Sequence, residues 1–421
     1  MSEAGSGRTV VVAGGGLAAA KTAEALRGEG FEGSIVLVGA EAIVPYERPA
    51  LSKGYLQGSA ERASLDVHPA DWYADNAVDL RLGAAVTALD VAGHAITTAD
   101  GDRTRYDTLV LATGSRARRL DLPGADAAGV HHLRDVGDSE RLRTALRPGA
   151  RVVVVGGGWI GLETAAAAVT AGAQVTVVEV AELPLVRVLG PEVARVFADL
   201  HRAHGVDLRC GVGVRDVVAG DSGEGANVVH LDDGTALPAD VVVVGIGAAP
   251  NVELARDAGL ELGGRDTGGG VCVDEHLRTS HPDVLAVGDL AAAWNPLLGR
   301  RIRVEHWANA LNQPAVAART ALGVPASYDR PPYFYTDQFE LGMEFTGWFD
   351  PTQPYDLVVR GDLDSREFVA FWLVEGVVAA AMNVNVWDVT EHLGLLVRSR
   401  ATPPAAHLAD PAVALADLAE G

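Results

Sequence analysis

The stretch Arg151–Val180, RVVVVGGGWIGLETAAAAVTAGAQVTVVEV, constrains this chain more than any other. Its opening run of valines reads as a buried strand. Gly156-Gly157-Gly158 interrupts that run, an alanine-rich helical segment follows, and a second short strand ends in Glu179. Strand, glycine turn, helix and strand with an acid at its tip is an arrangement suited to a dinucleotide. Gly156 permits the tight turn, Gly158 lets the backbone approach a pyrophosphate, and Gly161 lets helix and strand pack closely. The N–H groups and dipole at the helix start favour the phosphate charge. A lone G-x-G-x-x-G is weak evidence; between a strand and a helix it is strong.

The N-terminus repeats the pattern. Arg8–Ala13 forms a short apolar strand, Gly14-Gly15-Gly16-Leu17-Ala18-Ala19 the turn, and the run through Leu26 a helix, with Ser34–Val38 the next strand. Ala19 takes the place of the third glycine. The acid is displaced, because Gly39-Ala40-Glu41 follows Val38. Ala40 cannot bind a ribose hydroxyl, and Glu41 arrives late. Two dinucleotide turns imply two dinucleotides, and the usual pairing is FAD at the first and a nicotinamide cofactor at the second.

Composition excludes several alternatives. The chain has 421 residues, room for two or three domains, and a net charge of −22 from 34 basic and 56 acidic side chains. That balance argues against nucleic acid or an anionic membrane as partner. The 2 cysteines, Cys210 and Cys272, are too few for a chain-borne iron–sulfur cluster and form no C-x-x-C. Both read as buried packing residues in a reducing compartment. The opening MSEAGSGRTV has no apolar signal region, so a cytoplasmic protein is expected. The apolar stretch Phe368–Trp387 is broken by Glu375-Gly376 and reads as a hairpin rather than a membrane span. The 12 histidines have no metal-ligand spacing, so no metal is expected.

In chain order, VPYERPALSK (Val44–Lys53) precedes a polar loop, a short helix and small antiparallel strands, and Thr108–Thr113 is a strand entering Gly114. Pro191–Gly205 is amphipathic, DVVVVGIG (Asp240–Gly247) is another buried strand, and AVGD (Ala286–Asp289) closes a strand with an acid. These elements predict an α/β fold of two Rossmann-like dinucleotide-binding domains, the NAD domain inserted in the FAD domain, plus a C-terminal α+β domain. The expected boundaries are 1–114 with 248–325, then 115–247, then 326–421.

The segments PYERPALSK, LATGSRAR, GGGWIGLE, AVGD, RVEHWANA and PYFYTDQ, in that order, resemble the FAD-dependent ferredoxin reductases that serve haem-thiolate monooxygenases and Rieske dioxygenases. The likeness runs nearly the whole length. It implies that Gly14, Gly16 and Ala18 meet the FAD pyrophosphate, that Arg48 and Lys53 lie beside the flavin, and that Val86 meets the adenine. It assigns Arg118, after Ala112-Thr113-Gly114, to the pyrophosphate, Arg134 to the flavin, Asp289 to the ribityl chain and Trp307 to the isoalloxazine. For NADH it implies Gly156, Gly158, Ile160, Gly161 and Gly247 at the turn and strand end, with Glu179 on the adenosine ribose and Arg187 beside it. A carboxylate at the ribose favours NADH over NADPH. The family's ribose acid is Ala40 here, and its flavin-facing tryptophan is Tyr335.

The resemblance further implies an ion pair of Lys53 and Glu163 near the hydride-accepting position, with the lysine stabilising the reduced flavin and the glutamate fixing the lysine. A structural interdomain ion pair is the plainer reading. Arg300, Arg301 and Arg303, just before Trp307, suggest a docking patch for an acidic iron–sulfur ferredoxin, against a plain solvated loop. Competing functions are an NADH oxidase, a rubredoxin reductase, and an NADH-responsive redox sensor resembling apoptosis-inducing factor. A disulfide or peroxide reductase needs a cysteine beside the flavin, and none precedes Cys210.

Overall fold

The computed structural model describes residues 7–219 and 227–419, so the leader reading of Met1–Ser6 lies outside the described residues. The chain divides into two compact units, one of residues 1–47, 63–116 and 249–333, the other of 48–62, 117–248 and 334–421.

The first unit is built on a five-stranded sheet ordered Val284–Ala286, Thr108–Leu111, Thr9–Ala13, Ser34–Val38 and Val78–Arg81. Every pairing in it is parallel. Strands covered on both faces need continuous apolar sequence, and Val10, Val11, Val12, Leu109 and Val110 are fully buried. The helix Leu17–Gly28 packs against Trp307–Ala321, each presenting alanines to the core. Smaller sheets form from Val86–Asp90, Ala95–Thr98 and Arg103–Arg105, and from Val271–Val273, Ala291–Asn295 and Arg300–Ile302.

The second unit repeats the parallel design in the order Asp207–Cys210, Gln174–Glu179, Arg151–Val155, Val241–Val244 and Val130–His131. A second, antiparallel five-stranded sheet runs Tyr333–Gln338, Leu341–Gly347, Val377–Val384, Glu367–Val374, Asp356–Asp362. The hairpin expected at Glu375-Gly376 forms there, with Glu375 at φ 52°. The amphipathic helix expected at Pro191–Gly205 spans Pro191–Ala203, and its apolar face joins Phe197 and Leu200 to Phe345 and Trp372 in one core. The Trp372 indole donates to the Leu189 carbonyl at 3.1 Å, tying that sheet to the segment before the helix. The C-terminal sheet therefore shares a core with the second dinucleotide-type half.

Residues 48–62, expected with the first unit, pack in the second. The Tyr55 hydroxyl donates to Glu140 at 2.7 Å, and Ser139 donates to the Leu51 carbonyl at 2.8 Å. Among the described residues, no helix is long and apolar enough to cross a membrane.

Candidate active site

In the first unit, Gly14, Gly16, Glu41, Thr113, Gly114 and Asp289 follow the C-terminal ends of strands of the parallel sheet, whereas Arg48, Lys53, Arg118 and Arg134, also expected around FAD, belong to the second unit. Gly14 adopts φ 146°, and a Cβ there would lie 2.1 Å from the Ala112 carbonyl oxygen. Only glycine permits that approach. Gly16 starts the helix Leu17–Gly28 with no side-chain cap and no acid in the first turn, and a Cβ on it would meet nothing within 4 Å. Ala18 faces Gly288, whose own Cβ would lie 3.3 Å from the Ala18 methyl. The turn and the V-G-D segment thus flank a helix start whose N–H groups can receive a phosphate. Asp289 accepts from Ser115 at 2.7 Å, and the Gly288 N–H donates to Gln313 at 2.7 Å. Thr113 donates to the Asn251 carbonyl at 3.0 Å, and Gly114 adopts φ 63°. Glu41 accepts from the Tyr46 hydroxyl at 2.7 Å, and Ala40 is exposed beside it. Val86 opens the strand Val86–Asp90, half-buried. Trp307 begins the helix Trp307–Ala321 and donates to Glu47 at 3.0 Å. Burial drives His306, before it, down to about 4, so the ring is neutral.

In the second unit, Gly156 adopts φ 105°, with a would-be Cβ 2.5 Å from the Gly245 carbonyl oxygen. A Cβ on Gly161 would lie 2.1 Å from the Gly156 oxygen, so this turn closes only with glycine at both places. Gly158 starts the helix Trp159–Thr170 without a side-chain cap. Ile160 and Ile246 expose 43% and 36% of their surface, an apolar rim beside a cradle of backbone N–H groups. The Glu179 carboxylate accepts from Gly157 N–H at 2.6 Å and from Ala181 N–H at 2.8 Å. A carboxylate has about four acceptor sites, so capacity remains for a ribose hydroxyl. Arg187 is exposed on the short helix Val186–Leu189. Arg118 lies alongside Gly247, its N–H donating to the Gly247 carbonyl at 2.9 Å. Arg48 donates to the Arg134 carbonyl at 2.7 Å.

The two cradles fit two dinucleotides: both helix starts lack the side-chain caps that would compete with a phosphate, and the first glycine of each turn excludes a Cβ.

Lys53 and Glu163 both belong to the second unit and meet there. Lys53 Nζ lies 2.7 Å from Glu163 Oε1, with the side chains 18% and 4% exposed. Glu163 is the fifth residue of the helix Trp159–Thr170, and Lys53 follows the turn Pro49–Ser52. Ser52 donates to Glu163 Oε2, and Thr336 donates to Oε1 at 2.5 Å. Lys53 Nζ also sits 5.5 Å from the Tyr335 ring centroid. An open pocket of about 640 Å³ reaches the pair, lined by Gln57, His204, Asp337 and Glu340 among others. Burial raises the Asp337 carboxyl above its ordinary range, and Lys53 opposes that rise. The nearly buried carboxylate takes three donors, Ser52, Thr336 and Lys53, and the pocket keeps the lysine partly in contact with water.

Sequence reasoning missed Ser52, Thr336, Gln338 and His201. Ser52 and Thr336 lie inside the segments PYERPALSK and PYFYTDQ, but no spacing rule connects them to a helix more than a hundred positions away in either direction. His201 had no signal beyond being one polar residue on an apolar helix face.

Two expectations change. The arginine run is not an open basic patch: Arg301 donates to the Val273 carbonyl and, at 2.8 Å, to that of Ala292. Arg303, its side chain 6% exposed, binds the Gly268 and Asp289 carbonyls and pairs with Glu305 at 2.7 Å. Arg300 alone of the three is exposed. Cys210 is half-buried rather than buried, and burial raises its thiol; Cys272 is buried. Among the described residues, folding brings His94, His281 and Asp283 together, with potential ligand atoms within 4.8 Å of one another. His94 Nε2 lies 3.8 Å from Asp283. That is wider than the roughly 3.3 Å between two ligands on tetrahedral zinc.

Two phosphate-cradling helix starts on separate parallel sheets, with a buried lysine–glutamate pair, define a protein built for two dinucleotides and redox chemistry. Residues 8–314 match the family described as Pyridine nucleotide-disulphide oxidoreductase, and residues 333–419 match Reductase C-terminal. The chain belongs to the pyridine nucleotide-disulphide oxidoreductase family. It is 41% identical to the anthranilate 1,2-dioxygenase system ferredoxin–NAD(+) reductase component of Burkholderia cepacia, across 96% of this chain and 98% of that one. Identity to the 5,5'-dehydrodivanillate O-demethylase ferredoxin reductase subunit of a Sphingobium strain is 42%, across 89% of each. The crystal structure of the covalent putidaredoxin reductase–putidaredoxin complex contains a chain that matches with TM-score 0.92 and 37% identity, covering 98% of both chains.

Proposed function

We propose that this chain is an FAD-dependent NADH:ferredoxin reductase of the cytoplasm, delivering electrons to an iron–sulfur ferredoxin that serves an oxygenase. The observation that carries the reading is the Lys53–Glu163 pair, 2.7 Å apart and nearly buried. The named relatives and the matched complex support ferredoxin as the acceptor. The functional division is into an FAD-type domain, an inserted NAD-type domain and a C-terminal domain, with residues 48–62 packing in the second unit.

FAD supplies the two-electron to one-electron conversion when bound. Gly14, Gly16 and the Leu17 helix start would receive its pyrophosphate, and Asp289 and Trp307 would hold other parts of it. Gly156, Gly158 and Gly161 would hold the NADH pyrophosphate, and Glu179 would accept from the ribose, which disfavours a 2′-phosphate. Glu163 orients the Lys53 ammonium, and that fixed positive charge would favour electron gain by a bound flavin. The absence of a cysteine before Cys210 leaves no thiol for a disulfide relay.

Lys53→Ala tests the reading. The variant is expected to retain FAD yet slow flavin reduction by NADH in stopped-flow absorbance. An unchanged rate removes Lys53 from the mechanism. Steady-state assays of ferredoxins, rubredoxin and oxygen with NADH or NADPH then identify the acceptor. Rapid turnover with a ferredoxin upholds the proposal; turnover with oxygen or rubredoxin alone replaces it with an oxidase or a rubredoxin reductase. A long-lived reduced complex with NADH-linked dimerisation replaces it with a redox sensor.

A further inference from the structure

Behind the lysine–glutamate pair runs a chain of buried polar side chains. Thr336 Oγ1 donates to Glu163 Oε1 at 2.5 Å, Gln338 Nε2 donates to Thr336 Oγ1 at 3.2 Å, and His201 Nε2 meets Gln338 Oε1 at 2.9 Å. All four are buried: Glu163 is 4% exposed, Thr336 and Gln338 1%, and His201 0%.

The chemistry sets the direction of this chain. An ionised carboxylate only accepts, so the single hydroxyl hydrogen of Thr336 points at Glu163. Thr336 must then receive a donor on its other side, and the Gln338 amide nitrogen is the group that provides one. That leaves the Gln338 oxygen facing His201, so the imidazole carries its proton on Nε2. His201 Nδ1 is buried without a hydrogen-bond partner, and burial drives the ring down to about 4. The histidine is therefore neutral and in one tautomer. Every donor in the series is aimed at Glu163, and bonds in such a series polarise one another in a low-dielectric interior.

The placement of His201 needs a reason. It is the one polar member of a helix face otherwise formed by Val193, Ala194, Val196, Phe197, Ala198 and Leu200. An apolar side chain would fill that position without the desolvation cost of an imidazole. What His201 adds is an N–H for Gln338, whose amide would otherwise be free to turn over.

The geometry points to Thr336, Gln338 and His201 as positioning residues for the hydride-transfer step, acting through Glu163 to hold the Lys53 ammonium. The C-terminal sheet is then part of the redox machinery, with Thr336 and Gln338 on one strand and His201 on the helix beneath it. Lys53 gains a fixed partner because Glu163 has no freedom to swing away. This inference rests on the proposed role of the Lys53–Glu163 pair.

The test uses FAD-loaded Thr336→Val, Thr336→Ser, Gln338→Met and His201→Phe. Thr336→Val is expected to slow flavin reduction by NADH about tenfold, the equivalent of one hydrogen bond to a charged group, with the NADH dissociation constant unchanged. Thr336→Ser keeps the hydroxyl and is expected to restore most of the rate. A second measurement needs no turnover: the carboxylate stretch of Glu163, identified in infrared difference spectra of oxidised protein against Glu163→Gln. It is expected to move in Thr336→Val, to return in Thr336→Ser, and to move in Gln338→Met and His201→Phe, two and three links away. A Glu163 band unmoved by Gln338→Met and His201→Phe overturns the inference, as does equal slowing by Thr336→Val and Thr336→Ser. Slow reduction in Lys53→Ala beside wild-type rates in these variants sinks the positioning role and leaves the proposed function standing. Wild-type reduction in Lys53→Ala removes the parent reading instead.

Discussion

Glu163→Gln isolates the charge of the buried carboxylate while keeping its shape. The amide oxygen can replace Oε1, which receives Lys53 at 2.7 Å and Thr336 at 2.5 Å. Its nitrogen then faces Ser52, whose hydroxyl can rotate to accept. What remains is an ammonium without a counter-charge. Removing one partner from a fully buried ion pair costs about 3–5 kcal/mol. Lys53 is 18% exposed and borders an open pocket, so water screens part of that loss. About 2 kcal/mol is the expected destabilisation. In a folding unit of about 235 residues, that lowers the melting temperature by roughly 4–8 °C. With its counter-charge gone, the ammonium is held less firmly, and flavin reduction by NADH is expected to slow by about tenfold or more. Thermal unfolding of the FAD-loaded protein and stopped-flow reduction at saturating NADH measure the two effects. A variant that melts with wild type and reduces its flavin at the wild-type rate refutes the argument, because an idle surface pair behaves that way.

Gly161→Ala forces a methyl to within 2.1 Å of the Gly156 carbonyl oxygen. It should cost about 2–3 kcal/mol and abolish NADH binding in fluorescence titration while FAD content holds. Asp240 is depressed to about 2, first by the side-chain bond from Arg151 and then by its backbone N–H. A depressed carboxyl contributes stability above the unfolded value near 4 that is lost as pH falls towards 2. Asp240 is 29% exposed, so Asp240→Asn should lose about 1 kcal/mol at neutral pH in urea titrations, and the difference should vanish at low pH. Arg300→Glu is expected to weaken ferredoxin reduction several-fold at low ionic strength, with the difference fading at high salt. Arg301→Glu, by contrast, should lower the melting temperature, since Arg301 is bound to sheet carbonyls.

Local periodicity determined much of this protein. Valine runs followed by glycines define both parallel sheets, because a strand covered on both faces has little alternative to continuous apolar sequence, and a Cβ cannot fit on the first glycine of either turn. The acid at the tip of the second strand, Glu179, the V-G-D acid Asp289 and the hairpin at Glu375-Gly376 follow from the same short-range logic. Tertiary structure alone decided what surrounds the charged groups. Segment 48–62 leaves the first unit and carries Lys53 to Glu163, an outcome of packing around Leu51 and Tyr55 that no spacing encodes. The same holds for the arginines before Trp307, where a charge run in sequence became carbonyl ligands in the fold. Thr336, Gln338 and His201 come from a strand and a distant helix, and their hydrogen bonds have no periodicity to reveal them. Glycine turns are legible because their constraint lies within a few residues. The environment of a buried carboxylate is assembled from the whole unit.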